Sequence, residues 1–455
     1  MSQPLAPASD HFRLPILRWW IAGLLFVAAL LNYVDRNVLG LLADTIQKDL
    51  NISNQQYASI INYFLIAYTL ANLLSGRIVD RLGVRLSLAL FLAWWTVANA
   101  LTGMARSLGQ LCGLRFMLGL GEAGCYTASP KAVSEWFPPS ERASAVGLYS
   151  AGGAVGATIA PIMVAMIAAN FGWRWVFAVT PVVALLWLTL WFFLYRNRAT
   201  HPHLTQEERV YLDANVVRPA AEAAQPKESE WALWRRVLRS PLVWQLMLAR
   251  LITDPVWYFF QFWFPKYLRR AHGLDQKGVA IMWLIFLAAT GGFLLGGYLS
   301  GRLVRRGIAP PRARLRMMLV SVCLVPVLAL IPFVPASAGA AGAAAHTLLL
   351  GCLPADPMVM AVIAIAMLVA YAATSWLSNI TSLVVDIVPQ RILGTSFGVI
   401  ACGSALGGMF MNKAVAWVIQ QYNYDWCFFT MALLHPLGLL LVWNLRRPRP
   451  GAQSA

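Results

Sequence analysis

Two adjacent charged residues, Asp35 and Arg36, lie within a long apolar segment of the sequence. The segment is long enough to cross a bilayer as a helix, and charges inside a bilayer usually pair or line a water-filled path. A second acid–base set, Arg115 and Glu122, lies in a later apolar segment. Carboxylates in such places can take up and release protons, and arginine can hold a carboxylate ligand with two parallel hydrogen bonds. The four residues therefore predict either a site for anions and protons or a set of buried structural ion pairs.

Helical spacing places Arg115 and Glu122 on one face. They are seven residues apart, which is close to two turns and about 10 Å along the axis. That face can border the same cavity as Asp35 and Arg36, and the glycines between them allow close helix packing. If the four residues are instead structural, they still matter, because breaking a buried ion pair costs about 3–5 kcal/mol.

The composition is that of a membrane protein. Of the 455 residues, 59% are hydrophobic and 12% are charged, whereas about 25% of residues are charged in soluble domains. The net charge of +17 comes largely from basic residues in short loops, where they orient the chain in the lipid bilayer rather than bind nucleic acid. The six cysteines lack the spacing of a metal site, and no nucleophile–base set is visible. We therefore expect a protein that is not an enzyme, with no catalytic residue and no metal.

Twelve apolar segments follow one another, each long enough for a transmembrane helix. The predicted fold class is an all-α membrane protein with twelve transmembrane helices in two six-helix halves. The first six helices are expected near residues 17–42, 57–79, 84–105, 108–135, 142–168 and 173–195. The second six are expected near residues 241–268, 278–301, 315–335, 358–385, 391–419 and 424–445.

The chain accordingly divides into an N-terminal bundle with a short tail (1–195), a linker (196–240) and a C-terminal bundle with a tail (241–455). Charge and proline in the linker predict a solvated segment with one short surface helix. Its two histidines have no third ligand nearby, so we assign them to the linker rather than to a metal. A long connection at 336–357, rich in alanine and glycine, is either a re-entrant segment or an insertion.

Lysine and arginine are concentrated in the loops after the second, fourth, sixth, eighth and twelfth helices. Because basic loops face the cytoplasm, the linker and both termini are expected on that side. The basic loop after the seventh helix opposes this orientation, but it is outnumbered.

A short sequence recurs in the two halves. Residues 74–81 (LSGRIVDR) match residues 299–306 (LSGRLVRR) at an offset of 225 residues, about half the chain. Each copy follows the second helix of its half. Parallel repeats are typical of transporters whose halves rock about a central site.

The first copy resembles the loop signature of the major facilitator superfamily, in the form Gly76-x-x-x-Asp80-Arg81-x-Gly83-x-Arg85. The resemblance implies the major facilitator fold and a gating role for this loop. Gly76 would allow close helix approach, and Asp80 and the two arginines, Arg81 and Arg85, would form cytoplasmic ion pairs that latch one state.

Further motifs resemble the anion:cation symporter family of that superfamily, over nearly the whole chain. The bacterial hexuronate branch is most similar, and transporters of galactonate and related aldonates are close to it. The motifs are Asn32-Tyr33-Val34-Asp35-Arg36, Gly121-Glu122-Ala123, Glu135-Trp136-Phe137-Pro138, Phe171-Gly172-Trp173-Arg174 and Phe262-Trp263-Phe264-Pro265.

The resemblance implies proton-coupled uptake of a small organic anion across a bacterial inner membrane. Asp35 and Glu122 would be the protonation sites, and Arg36 and Arg115 would hold the substrate carboxylate or the charge network. Two tyrosines would supply hydroxyl groups to the sugar, Tyr33 and Tyr68. We expect no cofactor besides the coupling proton, and a monomeric protein.

The repeat offset extends the site to the second half. Added to Tyr33 and Arg36, it gives Tyr258 and Gln261 on the seventh helix. If a pseudo-axis relates the halves, these residues face the cavity from the other side and bind hydroxyl groups. Polar residues of the tenth helix are open to two interpretations, substrate binding or helix–helix packing. They are Ser375, Asn379 and Thr381, joined by Ser404 on the eleventh helix.

The sequence thus predicts a symporter that imports a sugar acid, such as a hexuronate, with a proton. The alternatives are an exporter, or a carrier of an aldonate, an aromatic acid, a dicarboxylate or phosphate. Arg250 and Asp254, four residues apart on the seventh helix, are expected to pair, first for structure and second for substrate binding.

Overall fold

The structure is a computed structural model that describes residues 16–196, 198, 201–216, 229–274, 281–335 and 356–446. The N-terminal half contains α1 (Leu17–Leu41), α2 (Ala43–Leu50), α3 (Asn54–Thr102), α4 (Leu108–Trp136), α5 (Pro139–Phe171) and α6 (Trp173–Leu194). The linker contains α7 (Gln206–Asn215) and α8 (Glu230–Leu238). The C-terminal half contains α9 (Pro241–Thr253), α10 (Pro255–Phe262), α11 (Phe264–His272), α12 (Met282–Arg305), α13 (Pro310–Leu324), α14 (Pro357–Ile387), α15 (Gln390–Gln421) and α16 (Tyr424–Val442). The 3₁₀ segments Val325–Phe333 and Trp443–Arg446 continue α13 and α16.

Within the described residues, nine helical stretches are long and apolar enough to cross a membrane. One of them, Ser59–Thr102, contains two of the expected spans, because α3 is interrupted at Gly83. Gly83 has φ 73° and ψ 163°, a conformation that glycine adopts at little cost. Together with α4 and the interrupted segment α9–α11, these stretches correspond to the twelve expected spans.

Buried apolar side chains form separate clusters in the two halves. In the N-terminal half, Trp187 and Trp191 stack with their ring centroids 5.0 Å apart, inside a cluster drawn from α1 to α7. In the C-terminal half, Phe264 and Phe428 lie in a cluster drawn from α10 to α16. Each half therefore has its own core, so one can move against the other without unpacking either.

The seventh span is three short helices rather than the single helix expected over 241–268. α9 ends just before Asp254 and Pro255, and α10 ends before Pro265. Proline has no backbone N–H and cannot continue the hydrogen-bond ladder of the turn before it. The first break places Asp254 between two helices near the middle of the span.

The linker differs from the expected solvated segment where the structure describes it. Glu208 of α7 accepts a hydrogen bond from the backbone N–H of Leu17 at 2.8 Å, which caps the start of α1. Leu212 is fully buried. His201 is buried as well, with its Nε2 2.8 Å from the carbonyl oxygen of the last residue of α6. Residues 201–216 are therefore packed on the N-terminal half.

The second linker helix packs on the other half, where α8 buries Leu233 and Val237. The expected external connection at 336–357 lies outside the described residues except at its end. There the side chain of Asp356 accepts a hydrogen bond from the backbone N–H of Met358 at 2.8 Å and caps α14.

Candidate substrate and proton-coupling site

Arg36 and Glu122 form an ion pair between α1 and α4. The Nε and Nη2 atoms of Arg36 lie 2.9 and 2.8 Å from Oε2 of Glu122. Nη2 also donates to Oδ1 of Asn32 at 3.2 Å. Glu122 is fully buried, whereas the side chain of Arg36 is 26% exposed. The pair therefore keeps its carboxylate buried and leaves its cation partly accessible.

Three aromatic rings surround the guanidinium of Arg36. Its Cζ lies 5.2 Å from the ring centroid of Tyr33, 5.4 Å from that of Phe64 and 4.7 Å from that of Tyr68. Cations within about 6 Å of a ring centroid are attracted to the ring face. The rings thus fix the arginine, and two of them carry hydroxyl groups beside it. A carboxylate with neighbouring hydroxyl groups fits this chemistry.

Asp35 faces a different environment from its neighbour Arg36. It is 2% exposed, and its Oδ1 accepts a hydrogen bond from Nδ2 of Asn99 at 2.7 Å. Asn99 lies in the second span of α3 and also donates to Oγ1 of Thr180 in α6, at 2.9 Å. Successive residues of a helix point about 100° apart, because 3.6 residues make a turn. The structure therefore places Asp35 among α1, α3 and α6.

Arg115 forms an ion pair with neither Asp35 nor Glu122. Both Asp35 and Glu122 are within electrostatic range of its guanidinium. It is 2% exposed, and its Nε and Nη2 atoms have no hydrogen-bond partner among the described residues; the same holds for Oε1 of Glu122. A buried guanidinium with unused donors is costly. Arg115 thus has the capacity to bind either carboxylate when the pairing changes.

Tyr258 and Gln261 of the second half lie on α10. The hydroxyl of Tyr258 is 3.5 Å from Oγ of Ser404 in α15, and its ring packs on Gly408. Tyr258 is within electrostatic range of Tyr33 and Tyr68 in the first half. Gln261 is partly buried about one turn further along. The structure thus brings Tyr258 towards the tyrosines beside Arg36.

The polar residues of α14 are placed mainly in helix packing. Nδ2 of Asn379 donates to the backbone oxygens of Gly296 at 3.2 Å and of Ser375 at 2.9 Å. Ser375 lies directly against Gly296, where an added Cβ would be 2.2 Å from the serine Oγ. Thr381 is buried farther along the helix. Of the two interpretations, the contacts of Ser375 and Asn379 favour packing between α14 and α12.

Gly76 and Asp80 lie where α3 of the first half meets α15 of the second. A Cβ at Gly76 would be 1.9 Å from the carbonyl oxygen of Gly394, so only glycine fits here. Asp80 accepts hydrogen bonds from the backbone N–H groups of Gly394 and Thr395, at 3.1 and 2.7 Å. It also pairs with Nζ of Lys131, at 2.5 Å from Oδ1. The carboxylate of Asp80 therefore joins the two halves.

Arg85 of the loop signature contacts the sixth helix. Nη2 of Arg85 donates to the backbone oxygen of Phe192 in α6 at 2.8 Å, and its Cζ lies 5.5 Å from that ring centroid. This contact is inside the N-terminal half. Arg81 is exposed near the end of the first span of α3. In this state Asp80 is neutralised by Lys131.

A second polar contact joins the halves through Asp386 at the end of α14. Asp386 accepts from Nη1 of Arg142 in α5 and from Nε of Arg314 in α13, both at 3.0 Å. Nη2 of Arg314 also donates to the backbone oxygen of Pro139 at 2.5 Å. These contacts and the contact at Gly76 lie at the helix ends that adjoin the loops expected in the cytoplasm. The halves are therefore closed against each other on that side.

Four residues of this arrangement are absent from the predicted site: Asn99, Lys131, Thr180 and Tyr126. Tyr126 packs edge-on against Tyr33, with ring centroids 6.4 Å apart. A sequence signal existed for Lys131 and Asn99, since a cation or an amide inside an apolar span needs a polar partner. No comparable signal marks Thr180, because a threonine can bond to its own helix.

The chain is similar to a known protein family, to curated transporters and to solved structures. A model of the Major Facilitator Superfamily matches residues 25–352. The chain is 28% identical to the hexuronate transporter of Escherichia coli K12 over 440 residues, which is 96% of each chain. It is 32% identical to the galacturonate transporter of Dickeya chrysanthemi over 289 residues, which is 63% of this chain and 83% of the relative. The solved structure of the proton:xylose symporter XylE has a TM-score of 0.71 at 16% identity, covering 95% of this chain and 96% of that chain.

These comparisons confirm the predicted fold class and the resemblance to bacterial sugar-acid transporters. The relatives are named as transporters, which agrees with the expectation that the chain is not an enzyme. The matched residues include Arg36, Glu122 and the loop signature around Asp80. The chain is a multi-pass membrane transporter and belongs to the Major Facilitator Superfamily.

Proposed function

We propose that this transporter is a symporter that imports a sugar acid, such as a hexuronate, with a proton across the bacterial inner membrane. The observation that carries the proposal is the Arg36–Glu122 pair, which holds an accessible cation and a buried carboxylate in contact inside the membrane. Relatives named as hexuronate, galacturonate and D-galactonate transporters support the class of substrate.

Exchange of partners at Arg36 couples proton to anion. Protonation of Glu122 removes the negative charge that occupies the guanidinium of Arg36. The freed guanidinium then binds the substrate carboxylate, with a bidentate geometry that suits arginine. The hydroxyl groups of Tyr33 and Tyr68 bind the sugar next to it. Loss of the proton restores the ion pair and expels the anion.

Asp35 is the second protonation site in this proposal, and Arg115 provides the compensating charge. Protonated Asp35 can still accept the hydrogen bond from Asn99, because a carboxylic acid retains an acceptor oxygen. Arg115 lies within electrostatic range of both carboxylates and compensates whichever remains ionised. With one proton and one anion bound, the two arginines balance the remaining ionised carboxylate and the substrate carboxylate, so the halves rock around a site with little uncompensated charge.

Alternating access follows from the contacts between the halves. With the cytoplasmic ends closed at Gly76, Asp80 and Asp386, the substrate enters from the outside. The halves then rock, the cytoplasmic contacts separate, and proton and anion leave inside. We place the linker and both termini in the cytoplasm because of the basic loops. The transporter acts as a monomer and needs no cofactor besides the proton.

Uptake into proteoliposomes tests the proposal. Labelled galacturonate and labelled galactonate are each offered to reconstituted protein with an imposed inward proton gradient. The proposal predicts accumulation above the external concentration, abolished by a protonophore. Accumulation of galactonate alone would favour an aldonate carrier. If neither acid accumulates under any gradient while the protein is folded, the sugar-acid function is refuted.

A further inference from the structure

A second acid–base pair, Arg250 and Asp254, lies at the break of the seventh span. Nε and Nη2 of Arg250 lie 2.9 and 2.8 Å from Oδ2 of Asp254. The side chains are 12% and 5% exposed, so the pair is largely removed from water. Because Pro255 starts a new helix, Asp254 stands at the junction of α9 and α10.

From the second half, the pair comes within electrostatic range of Tyr68, which lies beside Arg36 in the first half. Tyr68 of α3 and Tyr149 of α5, both in the first half, are within electrostatic range of the Arg250 guanidinium. Tyr258, about one turn beyond Asp254, is within range of Tyr68 as well. Tyr68 thus connects the surroundings of the two arginines, since its ring also lies 4.7 Å from Cζ of Arg36.

Neighbouring side chains hold the Arg250–Asp254 pair in place. Oγ1 of Thr253 lies 3.5 Å from Oδ1 of Asp254, and the same hydroxyl accepts a hydrogen bond from Nε1 of Trp376 at 3.1 Å. Cζ of Arg250 lies 5.9 Å from the ring centroid of Phe397. These contacts fix both charges against α14 and α15, so the pair has a defined orientation.

The two pairs offer different chemistry to a ligand. At Arg36 the cation is exposed and its carboxylate is buried, so protonation of that carboxylate leaves a free site for an anion. At Arg250 the two charges compensate each other in one compact group. Such a group has both donors and acceptors, which suits hydroxyl groups, whereas a second carboxylate would be repelled by Asp254.

From this difference, and resting on the proposed function, we propose that the Arg250–Asp254 pair binds the hydroxylated end of the substrate and excludes a second carboxylate. The transporter would then accept sugar acids with one carboxylate and reject aldarates, which have a carboxylate at each end. Arg36 selects the charged end and the Arg250–Asp254 pair selects the neutral end.

Competition for labelled galacturonate in proteoliposomes tests this, with unlabelled galacturonate and galactarate as inhibitors. In the wild type, galactarate should inhibit about tenfold more weakly than galacturonate, the size expected for one unfavourable charged contact. In Asp254→Asn, the carboxylate that repels the second carboxylate is gone and Arg250 is free. The ratio should therefore shift about tenfold towards galactarate. Asp49→Asn, which breaks an exposed aspartate–arginine pair outside the cavity, should leave the ratio unchanged.

The double variant Arg250→Gln/Asp254→Asn guards against misfolding, since it leaves no uncompensated charge buried. It should shift the ratio in the same direction as Asp254→Asn. Equal inhibition by both acids in the wild type, or an unchanged ratio in the folded variants, would overturn the inference while leaving the sugar-acid function in place. If the wild type transports neither acid, the proposed function fails and this inference fails with it.

Discussion

Asp35 and Arg36 are adjacent in the sequence, yet their side chains meet different helices. Arg36 reaches Glu122 in α4 and three aromatic rings, while Asp35 reaches Asn99 in α3. The rotation of about 100° per residue explains the separation. These two adjacent residues of α1 thereby contact different parts of the charge network. Arg115 is within electrostatic range of the carboxylates of both Asp35 and Glu122.

Asn99 should position Asp35 for transport. Asn99→Leu removes the donor to Oδ1 of Asp35, and hydrogen bonds to charged groups contribute about 1.5–3 kcal/mol. We expect the initial rate of galacturonate uptake to fall about tenfold or more. Asn170→Leu is the control, because among the described residues the hydrogen bond of that amide is to the backbone oxygen of Met166 within its own helix. Equal uptake by Asn99→Leu and the wild type would show that Asp35 needs no such support.

The sequence identifies those site residues whose charge would be unfavourable inside a single apolar helix. The acids and arginines inside apolar spans stand out, and the helical spacing joins Arg115 to Glu122. Asn99 and Lys131 can be recognised as polar residues that need a partner, but their pairing with Asp35 and Asp80 cannot be predicted, because the paired residues lie far apart in the sequence on other helices. Which helix faces meet is decided by packing of the whole bundle, which no local pattern records.

Among the elements, α7 shows how a polar segment becomes part of the fold. Glu208 accepts from the backbone N–H of Leu17 and pairs with Nη1 of Arg18 at 2.7 Å, and Arg18 pairs in turn with Glu141 of α5, also at 2.7 Å. A carboxylate at a helix N-terminus is favourable because of the exposed N–H groups and the helix dipole. The linker helix thereby ties the start of α1 to the start of α5.

Glu208→Gln should therefore destabilise the N-terminal half. Removing this buried charge should lower the free energy of unfolding by about 1–2 kcal/mol. The measurement is the melting temperature of purified protein in detergent. Glu207→Gln is a matched control, since Glu207 is the neighbouring residue in the same turn and is exposed. Equal loss of stability in both variants would contradict the capping role of Glu208.

The helices also show which structural features the sequence pattern predicts and which it does not. Apolar segments predict the spans because burial in lipid requires long apolar helices. Proline chemistry predicts the breaks at Pro255 and Pro265. The apolar pattern nevertheless favours a single helix, because the apolar residues continue through both prolines. The packing of α7 on the N-terminal half could not be predicted from its sequence. A polar helix with a few apolar positions can lie in solvent or pack on a protein surface.

At the scale of the whole molecule, the halves are held together at one end by polar contacts. Asp386 lies between Arg142 of the first half and Arg314 of the second, and all three side chains are largely buried. Asp80 makes the other contact, with α15. The hydrogen bond of Asp80 with α15 and the ion pair of Asp386 with Arg142 break when the halves separate at this end, so they stabilise the state that is closed here.

Asp386→Asn should shift the population towards the state that is open at this end of the molecule. Breaking a buried ion pair costs about 3–5 kcal/mol, and the cost of losing the Arg142–Asp386 pair falls on the closed state because only this pair crosses between the halves. The pair of Asp386 with Arg314 lies within the second half, so its loss affects both states alike. The distance between spin labels at Leu82 and Arg306, both exposed near these helix ends, should show a larger long-distance fraction. Asp49→Asn, whose ion pair with Arg174 lies within the first half, should leave the distribution unchanged. An unchanged distribution in Asp386→Asn would rule out this contact as a gate.

The central claim is that proton binding at Glu122 controls anion binding at Arg36. The most direct test compares wild type and Glu122→Gln in proteoliposomes, for accumulation of labelled galacturonate under a proton gradient and for exchange of galacturonate without a gradient. The account predicts that Glu122→Gln loses accumulation and keeps exchange, because the uncharged glutamine leaves Arg36 free but cannot carry a proton. Gradient-driven accumulation by Glu122→Gln equal to the wild type would contradict the account and make Glu122 a structural residue.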